Sequence, residues 1–275
     1  DEKTFEIHAV PLRDAEGLIA RILVVETNTT QQKRAATDII KALEKERQLN
    51  ELKSRFVSMA SHEFRTPLST ILTSISLLSK YAAPEQEDQR NKHITRIRTS
   101  VHNLTAILND FLSLDKLESG MLAPNPESFD LHAMVEDLID EMHAVCKPGQ
   151  MIVLQFSGDR NAVLDRNMVR NIILNLLSNA IKYSEEGKEV AIKVDVAEGK
   201  IRMDVKDHGI GIPEGDVKHM FERFFRANNA TNIQGTGLGL NIVKKYIDLM
   251  NGDIWFESQP GIGSVFSFVL PQKLV

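Results

Sequence analysis

The sequence predicts a multidomain protein in which an all-α helical hairpin, paired with a second copy in a dimeric four-helix bundle, is followed by an α+β sandwich. Two long runs with apolar residues every three or four positions predict the hairpin, because this spacing places them on one face of a helix. The segment "ESGMLAPNPESF" then ends the helical region, and the remainder mixes helix and strand patterns. With 275 residues, 42% of them apolar and 26% charged, the chain is long enough for more than one compact unit.

The first 29 residues predict a β-hairpin. Residues 4–12 and 18–27 are rich in strand-forming side chains, and Asp14 and Gly17 between them supply turn chemistry. A lone hairpin is only marginally stable in water, so we expect these strands to belong to a larger sheet. Because the sequence begins at Asp1 and not at methionine, we also expect a fragment of a longer protein.

A charged helical pattern in residues 30–52 predicts a coiled-coil linker with one interruption near Glu46. Residues 53–122 then predict the helical hairpin. Its apolar stripes are too long and regular for one hairpin to cover, so we expect a homodimer. The stripes comprise Phe64, Leu68, Ile71, Ile75 and Leu78 in the first helix, and Ile94, Ile97, Val101, Leu104, Leu108, Phe111 and Leu114 in the second.

Residues 123–275 predict the α+β sandwich, with helices on one face of a mixed sheet. Helices are expected near 131–146 and 166–184, behind the N-cap residues Asp130 and Asp165. Strands are expected near 151–156, 189–196, 200–207, 253–257 and 264–270.

Composition limits the partners and the compartment. The net charge of -5, with lysine and arginine spread along the chain, argues against nucleic acid as a partner. No apolar run approaches the roughly 20 residues of a membrane helix, so no membrane segment is expected in this chain. The single cysteine, Cys146, cannot form an intramolecular disulfide. This favours a reducing, cytoplasmic compartment, although a longer protein could still be bound to a membrane.

Three amide side chains recur at helical spacing in "NIILNLLSNAIKYS". Asn171, Asn175 and Asn179 lie at i, i+4 and i+8, on the face opposite the apolar residues. Neutral amide oxygens suit a magnesium ion that already carries a triphosphate, because carboxylates would add too much negative charge. The alternative is that asparagines simply cover a solvated helix face.

Glycine-rich loops follow in the same domain. In "DHGIGIP", Asp207 ends a strand, and Gly209 and Gly211 permit a close approach of the backbone to a ligand. In "GTGLGL", Gly235, Gly237 and Gly239 precede a helix whose N-terminus favours phosphate. Arg223 and Arg226 lie between the two loops, before a polar tract with the composition of a mobile lid. Taken alone, the first loop is more typical of a plain turn, and the second is a weak signal because such loops are common.

Together these segments resemble the sensor histidine kinases. "NLLSNAIKYS", "DHGIGIP", "FERFFRA" and "GTGLGL" are similar to the N, G1, F and G2 boxes of that family, and "SHEFRTPL" is similar to its H box. The resemblance covers residues 53–270 and implies a dimerisation and phosphotransfer domain followed by a Bergerat-type ATP-binding domain. Residues 4–27 are similar to the closing strands of a PAS sensor domain.

The resemblance implies that His62 takes the γ-phosphoryl group of ATP and passes it to an aspartate of a response-regulator receiver domain. Glu63 would serve as general base, and Thr66 would orient water for dephosphorylation of the regulator. Asn179, with Asn175 nearby, would hold Mg²⁺, while Lys182 and Arg226 would contact phosphate. Tyr183 and Asp207 would contact adenine, and the glycines named above would border the nucleotide.

Two further residues bear on this interpretation. The wider ATPase superfamily has a glutamate at the position of Asn171, and an amide cannot serve as the base for water, so hydrolysis should be slow. Pro67 removes the helical partner of the Glu63 carbonyl, so we expect a bend and a hinge beside His62.

Two other functions stay open, namely a catalytically silent, dimeric ATP-binding scaffold and a water-directed ATPase. The segment "HEFRT" lacks the second histidine of a zinc peptidase motif, which excludes that class.

Overall fold

The computed structural model describes residues 3–81, 86–119, 122–233 and 235–272. The side chains of some helix and strand residues within these ranges, that of His62 among them, lie outside the description. The chain divides into one compact unit that ends at Ser58 and a second that begins at Met59. No helix of the described residues is long and apolar enough to cross a membrane.

The first unit begins with the predicted hairpin. Strands β1 (Phe5–Arg13) and β2 (Ile19–Asn28) pair antiparallel from Phe5 opposite Asn28 onward. Oδ1 of Asp14 accepts the backbone N–H groups of Glu16 and Leu18, which closes the turn as its composition predicted. Asn28 then caps the following helix by accepting the N–H of Thr30 at 3.0 Å.

Helix α1 (Thr30–Leu78) contains both the predicted linker and the first helix of the hairpin in 49 continuous residues. Pro67 lies buried inside this helix without ending it. The helix is therefore unbroken at the proline, and the bend and hinge beside His62 stay predictions.

In the second unit, the part of α1 after Met59 packs with α2 (Glu87–Glu118). Phe64 and Phe111 face each other across the pair with ring centroids 6.1 Å apart. Part of the predicted stripe stays about half exposed in the single chain. Exposed apolar residues of α2 and of α1 after Met59 include Leu68, Leu72, Ile75, Ile94, Val101, Leu108 and Leu112.

The α+β domain follows as predicted. The strands of its sheet are β4 (Met151–Gly158), β6 (Glu189–Ala197), β7 (Lys200–Lys206), β8 (Asp253–Gln259) and β9 (Gly263–Pro271). They lie in the order β4-β6-β7-β9-β8, and of these neighbouring pairs only β4 and β6 are parallel. The helices are α3 (Leu131–His143), α4 (Arg166–Tyr183) and α5 (Gly239–Leu249). Fully buried residues of α3, α4 and α5 share one apolar core with the alternate residues of the strands that face them.

Local sequence explains the ends of two helices. Asp130 accepts the N–H of Ala133 and Asp165 accepts that of Met168, so both predicted N-caps are confirmed. Two short strands, β3 (Glu127–Asp130) and β5 (Asn161–Leu164), form a separate antiparallel sheet that the sequence patterns missed. Four residues are too few to establish a period of two.

Candidate active site

A cleft of about 520 Å³ lies between the helical hairpin and the α+β domain, inside the second compact unit. Glu63 of α1 and several residues of α2 form one side. The other side is formed by α4, the loop after β7 and the loop before α5. Of the predicted site residues, the cleft is lined by Glu63, Asn175, Asn179, Lys182, Tyr183, Asp207, Gly211, Arg226, Gly235, Gly237 and Gly239.

Helix α4 presents its polar face to this cleft because its opposite face is anchored in the core. Ile172, Ile173 and Leu177 are fully buried, as the spacing predicted. Asn175 donates to the carbonyl of Asn171 at 3.0 Å, and a Cβ atom added to Gly239 would lie 2.6 Å from Asn175 Oδ1. The amide oxygen of Asn175 therefore lies directly beside the N-terminus of α5.

The C-terminal end of α4 is held by two residues from the turn after α3. Lys147 Nζ donates to the carbonyl of Lys182 at 2.8 Å and also to that of Ser184. Gln150, which is buried, donates to the carbonyls of Ile181 and Glu185. Cationic and amide donors satisfy carbonyls that have no partner within a helix end, and so these contacts fix the position of Lys182.

Asp207 directly follows β7 and is buried, with 6% of its surface exposed. Its Oδ1 atom accepts the backbone N–H groups of Gly209 at 2.9 Å and of Ser264 at 3.2 Å. Burial raises the pKa of this carboxyl group above its ordinary value, although the N–H donors act in the opposite direction. The carboxylate is thus fixed in orientation at the floor of the cleft.

The loop before α5 approaches α4 closely. A Cβ atom on Gly235 would lie 2.6 Å from Lys182 Nζ, so the tip of the lysine lies directly against this loop. Gly237 has a φ of +66° and its carbonyl accepts the N–H of Phe224 at 3.0 Å, which ties the loop to the segment before it. Thr236 Oγ1 accepts the N–H of Leu238 at 3.2 Å, at the start of α5.

Comparisons with known proteins agree with this geometry. Residues 52–120 match the family described as "His Kinase A (phospho-acceptor) domain". Residues 164–274 match the family described as "Histidine kinase-, DNA gyrase B-, and HSP90-like ATPase". The chain belongs to the sensor histidine kinases.

Individual relatives of this chain point the same way. It is 30% identical over 262 residues to the sensor histidine kinase WalK of Bacillus subtilis (strain 168), an alignment that covers 92% of this chain and 43% of WalK. The chain therefore spans less than half the length of that relative. Among solved structures, full-length ShkA in complex with AMPPNP has a TM-score of 0.56 at 26% identity, covering 80% of this chain and 46% of ShkA. ThkA in complex with the response regulator TrrA shares the fold at 22% identity, with a TM-score of 0.50 and coverage of 98% and 75%.

The guanidinium group of Arg226 contacts the loop that follows it. This group donates to the carbonyls of Ala230 and Thr231, both at 2.9 Å, and to that of Ile233. In this structure the side chain therefore holds the loop 227–233 together, and its contact with phosphate stays a prediction. Further bonds of the same segment link Asn228 to Asp216 and Asn229 to the carbonyl of Gly211.

On the hairpin side, Glu63 is only 3% exposed and faces the cleft. His62 precedes it on α1, and its side chain lies outside the described residues. Thr66 is exposed one turn further along the helix and, like Gly209, does not line the cleft.

Three residues of the site were missed by the sequence patterns. Lys147 follows the end of a helix and is typical of a solvated cation, and Thr236 is one of many loop threonines. Asp110 lies in the middle of α2, where an acidic residue normally faces water. Its pKa is raised from 3.8 to about 6 by burial, and partly lowered again by a hydrogen bond from Thr236 and the charge of Lys182. No spacing within the sequence distinguishes this aspartate from its solvated neighbours.

Proposed function

We propose that this kinase transfers the γ-phosphoryl group of ATP to His62. The observation that carries the proposal is one cleft shared by Glu63, the amide face of α4 and the two glycine-rich loops. His62 directly precedes Glu63 on α1, and this supports the transfer of a phosphoryl group to it from a nucleotide bound in the cleft. Family membership supports the same reaction.

In the proposed reaction, a neutral ring nitrogen of His62 attacks the γ-phosphorus, the bond to the bridging oxygen breaks, and ADP leaves. The second ring N–H would donate to Glu63, which fixes the tautomer and accepts the proton that the new phosphoramidate releases. Burial of Glu63 keeps competing water away from this carboxylate. Such a transfer needs positioning and charge neutralisation more than covalent help.

The adenine end of the nucleotide would bind near Asp207, whose fixed carboxylate suits the exocyclic amino group. Tyr183, which lines the cleft and accepts a hydrogen bond from Lys182 Nζ at 3.2 Å, would stack on the base. Gly209 and Gly211 would allow the loop to approach it. The phosphates would lie toward Lys182 and the loop of Gly235, Gly237 and Gly239.

The amide oxygens of Asn175 and Asn179 fit a hard divalent cation that brings its own negatively charged ligands. Mg²⁺, when bound, would neutralise phosphate charge. Asn179 is the proposed ligand and Asn175 the neighbouring amide.

Likeness to the family supports a proposal for the domain layout and the partners. We propose sensor-derived strands in 1–29, a signalling linker in 30–52, a dimerisation and phosphotransfer domain in 53–122 and the catalytic domain in 123–275. The half-exposed apolar residues of α1 and α2 suit a second copy of the chain, which supports a homodimer. A response-regulator receiver domain would accept the phosphoryl group, and Thr66 would support its later removal. A cytoplasmic location is consistent with these partners.

The test is incubation with γ-labelled ATP and Mg²⁺, comparing the parent with His62→Gln and with His143→Gln. His143 is exposed at the end of α3 and serves as a matched control. We expect protein-bound label that is labile in acid and stable in alkali on the parent and on His143→Gln, and none on His62→Gln. Label released only as free phosphate would indicate a water-directed ATPase. ATP binding without any label on the parent would indicate a silent scaffold, and either result would overturn the proposal.

A further inference from the structure

Asp110 of the phosphotransfer hairpin reaches the nucleotide-binding loop of the catalytic domain. The hydroxyl group of Thr236 donates to Asp110 Oδ2 at 3.1 Å. The same hydroxyl oxygen accepts the backbone N–H of Leu238. Thr236 therefore links the start of α5 to the Asp110 carboxylate through two hydrogen bonds. Lys182 lies close enough for its charge to act on Asp110.

These partners are the groups that the proposed function assigns to the phosphates. Lys182, the glycine loop and the N-terminus of α5 all favour a bound anion. In this structure the anion beside them is a carboxylate of α2. Four further residues of the same helix, Thr99, Asn103, Ala106 and Ile107, line the cleft beside it.

We propose that this face of α2 is a docking surface for the nucleotide-binding loop, and that Asp110 takes the place of a nucleotide phosphate while the two are docked. Docking and phosphate binding then compete, because two anions cannot share the same donors without strong repulsion. The inference rests on the proposed ATP site. It adds that the hairpin itself lowers nucleotide affinity until the catalytic domain separates from α2.

A nucleotide phosphate can displace Asp110 from its contact with the loop. Burial disfavours the ionised form of Asp110, and Thr236 and Lys182 offset only part of that effect. A carboxylate held in this way is released when a better anion arrives. Docking lowers the affinity for a phosphate-bearing ligand by a certain factor. By linkage, the bound ligand must disfavour docking by the same factor.

The test compares the parent, Asp110→Ala and Asp115→Ala, each as the full 275-residue chain. Asp115 lies on the same helix, is exposed, and serves as the matched control. Alanine preserves the helix in both variants. Binding of Mg-AMPPNP and of adenosine is measured by calorimetry, since adenosine reaches the base site without presenting phosphates.

We expect Asp110→Ala to bind Mg-AMPPNP about 5-fold or more tightly than the parent, in the usual range of such couplings. Adenosine affinity should be unchanged, and Asp115→Ala should match the parent for both ligands. Unchanged or weaker binding of AMPPNP by Asp110→Ala would overturn the inference. Equal tightening for adenosine would also overturn it, because docking would then block the whole site and not the phosphates. Absence of AMPPNP binding by the parent and by both variants would instead overturn the proposed function.

Discussion

Gly209 lies against the carbonyl group of Tyr183, and a Cβ atom built on this glycine would fall 2.2 Å from the Tyr183 oxygen. The same Cβ would lie 2.9 Å from Asp207 Oδ1. An isolated bridge between Ser184 and Gly209 joins the end of α4 to the loop after β7 at this point. One glycine therefore sets the distance between Tyr183 and Asp207, the two residues proposed to contact adenine.

Gly209→Ala should damage both stability and binding, because the obstructing atoms are backbone and cannot move aside cheaply. We expect the free energy of unfolding to fall by about 1–3 kcal/mol, as for other overpacked sites. Mg-AMPPNP affinity should fall as well. Gly215→Ala is the control, since a Cβ there would meet nothing within 4 Å. Equal stability of the two variants in urea unfolding would contradict the role assigned to Gly209.

Asp207→Asn should weaken nucleotide binding without lowering the free energy of unfolding. The amide oxygen of asparagine can still accept the N–H groups of Gly209 and Ser264, but its NH₂ group would face the adenine amino group, donor against donor. We expect adenine nucleotide affinity to fall about 10-fold or more, since an unpaired buried donor costs about 1–3 kcal/mol. Burial raises the pKa of Asp207, so its charge is already unfavourable and the free energy of unfolding should not fall.

The matched control for this variant is Asp204→Asn, three residues earlier on β7, where the carboxylate pairs with Arg202. It should leave nucleotide affinity unchanged. If Asp207→Asn bound Mg-AMPPNP as tightly as the parent, Asp207 would not be the adenine acceptor.

Asp110→Asn should stabilise the protein in a pH-dependent way. The pKa of Asp110 rises from 3.8 when exposed to about 6 in the folded state, so the folded state binds more protons between these values. Stability must therefore fall as the pH rises from about 4 to 6, by up to about 3 kcal/mol. Asparagine lacks this titration while keeping an oxygen for Thr236.

We expect Asp110→Asn to match the parent in thermal unfolding near pH 3.5 and to melt at a higher temperature at pH 7. Asp115→Asn should show no such divergence. A lower melting temperature of Asp110→Asn at pH 7 would mean that the ionised carboxylate stabilises the fold, contrary to its raised pKa.

Thr66→Ala should affect only the dephosphorylation of the regulator. Thr66 is an exposed residue of α1, one turn beyond His62 and outside the lining of the cleft. Autophosphorylation should therefore persist, while the loss of label from a phosphorylated receiver domain slows about 10-fold or more. Thr70→Ala is the control, because Thr70 lies one further turn along and its hydroxyl group bonds to the backbone of α1. Loss of both activities in Thr66→Ala would refute the assignment.

Local patterns predicted most of the fold because its elements are long and strongly periodic. The N-caps Asp130 and Asp165 and the buried face of α4 lie where the sequence placed them. The patterns failed for β3 and β5, which are four residues each and pair across a gap in sequence that no local signal spans. They also missed the hydrogen bonds from the guanidinium group of Arg226 to carbonyls of the loop after it.

The sequence by itself determined the order of the domains, the helical hairpin, the amide face of α4 and the two glycine-rich loops, because each depends on spacing within one segment. Only the tertiary structure decided which distant groups meet. Lys147 reaches the end of α4 across 35 positions, and Asp110 reaches Thr236 across 126. Neither residue differs in sequence from a solvated charge. Their surroundings, set by packing of the hairpin and the catalytic domain around one cleft, give them a function.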